Sequence, residues 1–196
     1  MIKAIIFDAD GVLVHREKYF SERLEEDYGV LRTESLKFFN NEFAGCLVGK
    51  KDLKEVLPKY LKKWGWKKSL EELLTYWFEK EGKRDEELVN YIQKIRETGI
   101  RIYIGTNNEK YRTEYLRDEM GLGEISHKVY GSGHIGYVKL DLKFFAHIIN
   151  DQSLDKNEVL FWDDDEDNVK AAIEFGIHAE LYRSFKEFKI KIKEYL

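Results

Sequence analysis

Two carboxylates, Asp8 and Asp10, follow the apolar run Ile5-Ile6-Phe7 and precede Gly11. In an extended segment residues i and i+2 share a face, so both acids leave the run on one side. Neighbouring buried carboxylates are unfavourable unless a cation or a shared proton compensates. The pair therefore implies use as nucleophile, proton carrier or metal ligand. Other polar residues also stand where apolar runs end. Thr106-Asn107-Asn108 follows residues 100–105, and Asp163-Asp164-Asp165-Glu166-Asp167-Asn168 follows residues 158–162. Gly136-Tyr137-Val138-Lys139 leads into a helical pattern over 140–150. The set combines carboxylates, a hydroxyl, amides and one ammonium. Magnesium prefers oxygen ligands, keeps several waters and pairs with substrate phosphate, so this combination predicts phosphoryl-transfer chemistry.

These residues must be brought together by the elements that carry them. Residues 2–7, 100–105, 127–130, 158–162 and 177–182 are short and strongly apolar, the texture of strands buried on both faces. Helical patterns lie between them, as at 85–98, where Leu88, Tyr91, Ile92 and Ile95 mark one face. Gly99, Gly121 and Gly176 are placed to end the helices at 85–98, 109–120 and 168–175. Alternating strand and helix predicts an α/β fold, a Rossmann-like parallel sheet sandwiched by helices. Ligands in such sheets bind at the carboxyl ends of strands, which is where the candidate residues fall.

Residues 16–83 break this rhythm with helical segments at 17–28, 34–43, 52–63 and 69–81. Asp52 with Glu55 and Ser69 with Glu72 have capping-box spacing. Trp64, Trp66, Tyr76, Trp77 and Phe78 supply apolar material of its own. The expected division is an α/β core of residues 1–15 and 84–196, with a small all-helical cap at 16–83. The two connections are expected near His15–Glu17 and Gly82–Asp85.

The chain has 196 residues, is 43% hydrophobic and carries a net charge of −4 from interspersed charges. No single-sign field favours nucleic acid or an anionic membrane, so neither partner is expected. The lone Cys46 rules out an internal disulfide. No apolar run approaches membrane-spanning length and no secretory pattern opens the chain, so a cytoplasmic protein is expected. The sequence leaves oligomeric state open.

The four strand-end segments together resemble the motifs of the haloacid dehalogenase-like superfamily. Asp8-Ala9-Asp10-Gly11-Val12-Leu13 is similar to the first, Ile104-Gly105-Thr106-Asn107-Asn108 to the second, Gly136 through Asp141 to the third, and Leu160 through Val169 to the fourth. The helical block matches a cap type placed between motifs one and two. The resemblance implies that Asp8 is the nucleophile and forms an aspartyl-phosphate. It implies that Asp10 protonates the leaving alcohol and then activates water. Phosphate would be held by Asp8, Thr106, Asn107 and Lys139. Magnesium would be held by the Asp8 side chain, the Asp10 backbone carbonyl and Asp164, supported by Asp163 and Asn168. Departures include Leu140 and Leu142 in place of two prolines, Asn168 in place of an acid, and the small Ala9.

The resemblance implies a magnesium-dependent phosphatase acting on a small phosphorylated metabolite. The alternatives are a sugar-phosphate mutase using the same intermediate and a non-catalytic phospho-regulatory module. Arg16, Lys18, Tyr19, Lys50 and Lys51 are the cap residues expected to meet substrate, and His15 marks the hinge. Two glycine-rich runs are rejected as nucleotide sites. Gly131-Ser132-Gly133-His134-Ile135-Gly136 comes late and opens no clear helix, while Gly45 through Lys51 has the wrong spacing for a phosphate-binding loop and no preceding strand. The acids Asp165, Glu166 and Asp167 suit a helix start.

Overall fold

The computed structural model describes residues 1–196. In chain order the strands are β1 (Ala4–Phe7), β2 (Val14–His15), β3 (Lys83–Arg84), β4 (Arg101–Thr106), β5 (Lys128–Gly131), β6 (Val159–Asp163) and β7 (His178–Leu181). Five of them form a parallel sheet in the order β5-β4-β1-β6-β7. The predicted parallel α/β sheet is therefore present. Its strands alternate between two cores, as a period of two requires. Ile5, Phe7, Ile104 and Trp162 join one cluster with Leu88, Leu116 and Phe188. Ala4, Ile6, Tyr103 and Phe161 join the other with Phe144, Phe145 and Ile148. Burial on both faces explains why these strands read as unbroken apolar runs.

The position of β1 between β4 and β6 builds the site. Phe7 pairs with Ile104 on one side and Trp162 on the other. The Asp8 N–H donates to the Trp162 carbonyl at 2.9 Å, which sets Asp8 level with the end of β6. Three neighbouring strands thus deliver Asp8, Thr106 and Asp163 to one edge.

Residues 16–82 form the helical block. Its helices are Phe20–Tyr28, Arg32–Phe38, Ala44–Leu47, Leu53–Val56, Pro58–Trp64 and Leu70–Lys80, with a π-helical turn at Phe39–Phe43. Phe20, Leu24, Phe38, Leu57 and Trp77 centre a third apolar cluster, with Phe20 and Trp77 stacked at 4.5 Å. Pro58 divides the expected 52–63 helix, because it has no N–H and takes the first position of a new helix. The Ser69 and Glu72 pair forms a reciprocal capping box. Asp52, by contrast, caps alone: it accepts the Lys54 N–H at 2.8 Å and turns its other oxygen to Lys110 of the core.

The two connections pair with each other. β2 and β3 run antiparallel, Val14 opposite Arg84 and His15 opposite Lys83. The Asp85 N–H donates to the Leu13 carbonyl at 2.8 Å, and the His15 ring meets the Asp85 carboxylate at 3.0 Å. The rejected glycine runs are close-packing points. A Cβ on Gly131 would overlap Thr113, and one on Gly49 would come within 2.5 Å of the Gly133 carbonyl. Gly133 stands on the core and Gly49 on the helical block, so the second contact joins the two. A short helix, Ser132–Ile135, does open on the first run, yet Gly131 and Gly133 serve close packing and Gly136 ends the helix in the left-handed conformation.

Candidate active site

Asp8, Asp10, Thr106, Asn107, Lys139, Asp163, Asp164 and Asn168 line one cavity of about 560 Å³ between the sheet edge and the helical block. At its floor the buried Lys139 ammonium donates to Asp8 Oδ1 and, at 2.6 Å, to Asp163 Oδ2. Lys139 precedes the helix Lys143–Gln152 by four residues, so it lies in the turn before that helix instead of opening it. The turn is held without the missing prolines: the Lys139 N–H donates to Asn107 Oδ1 at 2.9 Å. That bond ties the segment after β4 to the segment carrying the ammonium. It also commits the Asn107 side-chain oxygen to positioning Lys139.

Asp163 is nearly saturated. Besides Lys139 it accepts from the Asp165 N–H at 2.8 Å and from Asn168 Nδ2, 3.2 Å from each oxygen. An amide at position 168 can donate to this carboxylate, as an ionised acid there could not. Asp164 faces the cavity beside Gly11. That glycine has φ of +107°, and a Cβ built on it would overlap the Asp164 carboxylate. The glycine after the two acids therefore makes room for the third. Asp165 caps the helix Glu166–Phe175, with Glu166 and Asp167 in its first turn, which is the helix-start role expected of them.

Oxygens of Asp8, Asp163 and Asp164 lie within 4.8 Å of one another. With all three carboxylates ionised, they and the one ammonium leave a charge of −2 at this point. Burial pushes the Asp8 carboxyl up to about 8; Lys139 opposes that rise and Asp163 adds to it. Burial and the Asp163 charge also raise Asp164. For Lys139, burial pulls down, but Asp8 and Asp163 outweigh it and raise the ammonium further. Hard oxygen donors and a deficit of positive charge fit a divalent cation of the magnesium or calcium kind.

The Asp10 side chain stands apart from this cluster. Its Oδ2 accepts from Asn108 Nδ2 at 2.6 Å and its Oδ1 from the Arg112 guanidinium at 3.2 Å. Asn108 also donates to Thr106 Oγ1 at 2.8 Å. Arg112 donates to the Phe78 carbonyl of the helical block at 2.8 Å and lies over the Phe78 and Tyr115 rings. One buried guanidinium thus links Asp10 to the roof of the cavity. Glu109, beside it, caps the helix Lys110–Asp118, and burial lifts its carboxyl to about 7.

Sequence reasoning missed Arg112, Glu109 and Glu81, and it named Asn108 only as part of the run after residues 100–105 without giving it a role. Arg112 and Asn108 reach Asp10 from 102 and 98 residues away, and Arg112 reads as one more charge on a charged helix. Of the expected substrate residues, Arg16 and Tyr19 line the cavity. Lys18, Lys50 and Lys51 do not. Lys18 pairs with Glu26, Lys51 pairs with Glu42, and Lys50 is exposed. Exposed lysines find local acids, so a charge close in sequence to the site need not face it.

A family model described as a haloacid dehalogenase-like hydrolase matches residues 2–176. Among curated proteins the chain is similar to drimenol cyclase drtB of Aspergillus calidoustus, 29% identical over 106 residues, or 53% of this chain. The chain spans about a fifth of that protein, 20% of its length. Among solved structures it resembles the HAD family enzyme BT-2542 of Bacteroides thetaiotaomicron, solved with magnesium and inorganic phosphate. The TM-score is 0.83 at 19% identity, covering 96% of this chain and 99% of that one. L-2-haloacid dehalogenase of Xanthobacter autotrophicus aligns with a TM-score of 0.67 at 17% identity, covering 98% and 82%. The HAD phosphatase of Thermococcus onnurineus aligns with a TM-score of 0.66 at 21% identity, covering 94% and 90%. At these identities the likeness is one of fold, and the fold is shared by a dehalogenase and a phosphatase.

Proposed function

The chain belongs to the haloacid dehalogenase-like hydrolases, and on that premise we propose that it is a magnesium-dependent phosphatase acting on a small phosphomonoester. The supporting observation is Asp10. A halide leaves carbon as a stable anion and needs no proton, whereas an alkoxide leaving phosphorus does. Asp10 is a second carboxylate, held by its own partners Asn108 and Arg112 and set apart from the acidic cluster. Such a group suits proton transfer.

In this reading an oxygen of Asp8 attacks phosphorus, and the Asp8–phosphorus bond forms as the bond to the ester oxygen breaks. Asp10 gives its proton to the departing alkoxide. The Asp10 carboxylate then takes a proton from water, whose oxygen attacks phosphorus and releases phosphate from Asp8. Lys139 holds Asp8 Oδ1 and so orients the carboxyl while offsetting charge on the phosphoryl oxygens. Thr106 offers a hydroxyl to the same oxygens. Magnesium would be held by Asp8, Asp164 and the Asp10 backbone carbonyl, beside Asp163, and would supply positive charge to the site. The cavity volume, about 560 Å³, suits a small metabolite.

The test is release of inorganic phosphate from a broad panel of phosphomonoesters, with and without magnesium. Wild type is expected to turn over, Asp8→Asn to lose all activity, and Asp10→Asn to lose about 10²–10⁴-fold in rate. Turnover surviving Asp8→Asn, or turnover indifferent to magnesium, overturns the proposal.

A further inference from the structure

The cavity is built of two different materials. Its floor is the polar strand-end set, and its roof carries Phe20, Leu36, Phe39, Phe43 and Trp77. The charged roof residues are already engaged. Arg16 sits 3.7 Å from Glu81 and lies over the Tyr19 ring at 4.8 Å. Arg32 pairs with Glu22 at 3.2 Å, and Glu81 accepts the Trp77 indole N–H at 2.5 Å. Ser21 adds one hydroxyl to the lining. Phe20, Phe38, Trp64 and Trp77 are buried, but Phe39 and Phe43 are only partly so. The two phenyl rings lie 5.2 Å apart and 5.5 and 5.7 Å from Trp77. They bracket the π-helical turn, an irregularity that recurs at functional sites. The result is a continuous aromatic wall opposite the phosphoryl-transfer residues.

Resting on the phosphatase reading, we infer that the alcohol portion of the substrate is apolar, a compact aromatic or alicyclic group, and not a polyhydroxylated sugar. An apolar ring entering this roof gains by leaving water. A sugar's hydroxyls would lose water against phenyl faces, with the neighbouring charged groups already paired.

The test compares kcat/KM for benzyl phosphate, glycerol 3-phosphate and glucose 6-phosphate, all esters of primary alcohols. Burial of a phenyl group is worth about 10- to 100-fold in affinity. Benzyl phosphate is therefore expected to lead by that factor, chiefly through KM. Phe39→Ala and Phe43→Ala are each expected to shrink the lead, and Phe43→Leu to retain more of it, with melting curves establishing that the variants fold. Equal or greater kcat/KM for the polar esters in wild type overturns the inference, as does a lead that neither alanine variant moves. Calorimetric binding of the three esters to the Asp10→Asn protein with magnesium separates the two readings. Preference for benzyl phosphate there without turnover by wild type upholds the apolar pocket and overturns the phosphatase reading. Equal affinities with turnover do the reverse.

Discussion

Lys139 is the residue whose removal has the most calculable effect. Its side chain is buried and donates to two buried carboxylates, Asp8 and Asp163. Lys139→Met keeps the length and deletes the charge. A hydrogen bond to a charged group contributes about 1.5–3 kcal/mol, and removing one partner of a buried ion pair costs about 3–5 kcal/mol. At about 2–4 °C per kcal/mol for a chain of this size, the expected loss of Tm is about 6–20 °C. The loss must depend on pH. In the folded protein the Asp8 carboxyl titrates at about 8, against an ordinary 3.8. The folded state therefore binds this proton more tightly than the unfolded one, and stability from this group is greatest at low pH and lost as pH rises through that window. Without Lys139 the ionised form is costlier still, so the deficit of the variant grows with pH. Circular-dichroism melts of metal-free wild type and variant at about pH 5 and about pH 8.5 measure it. A deficit at the higher pH below about 2 °C, or one equal at both, refutes the argument. Turnover by the variant is expected to fall by about 10²–10³-fold.

Three other outcomes follow from the same geometry. Gly11→Ala forces a side chain into the Asp164 carboxylate at a φ of +107°, so the magnesium concentration for half-maximal activity should rise by about 10–100-fold. Arg112→Met strips Asp10 of one partner and cuts the bond to the Phe78 carbonyl; a stability loss of about 1–3 kcal/mol and a fall in kcat/KM are expected in melts and steady-state kinetics. Arg112→Lys should fail to restore either, since an ammonium cannot span both contacts. Magnesium should raise Tm more at about pH 8.5 than at about pH 6, because it competes with the proton on Asp8; equal shifts at the two pH values would falsify this competition.

The fold class was legible because strands buried on both faces write themselves as unbroken apolar runs, and because the glycines after the helices mark their ends. The acids, threonine and lysine at the strand ends were legible by type and order, and the sheet topology gathers them at one edge. What escaped the sequence depends on distance and on local irregularity. Arg112 matters because a helix face happens to lie under Asp10, a fact no spacing records. The π-helical turn has no sequence signature, so nothing set Phe39 and Phe43 apart within the helical segment expected at 34–43. Lys50 and Lys51 were expected to meet substrate, yet Lys51 belongs to Glu42. The β2–β3 pairing was read only as a pair of connections, since two residues carry no periodicity.

That pairing has a consequence for how such a protein changes over evolutionary time. Because β2 and β3 are bonded to each other, the helical block leaves and re-enters the sheet at nearly one point. The entropy of closing an insert grows only slowly with its length, by about 0.6 kcal/mol per doubling. The edge carrying Asp8, Thr106 and Asp163, assembled on β1, β4 and β6, therefore places little constraint on what is spliced between the stems. Replacing residues 16–82 by a different helical block would exchange the aromatic wall for another recognition surface while the strand ends stayed where they are. Under the proposed function, reactivity and recognition are separately heritable parts, joined at a two-stranded seam.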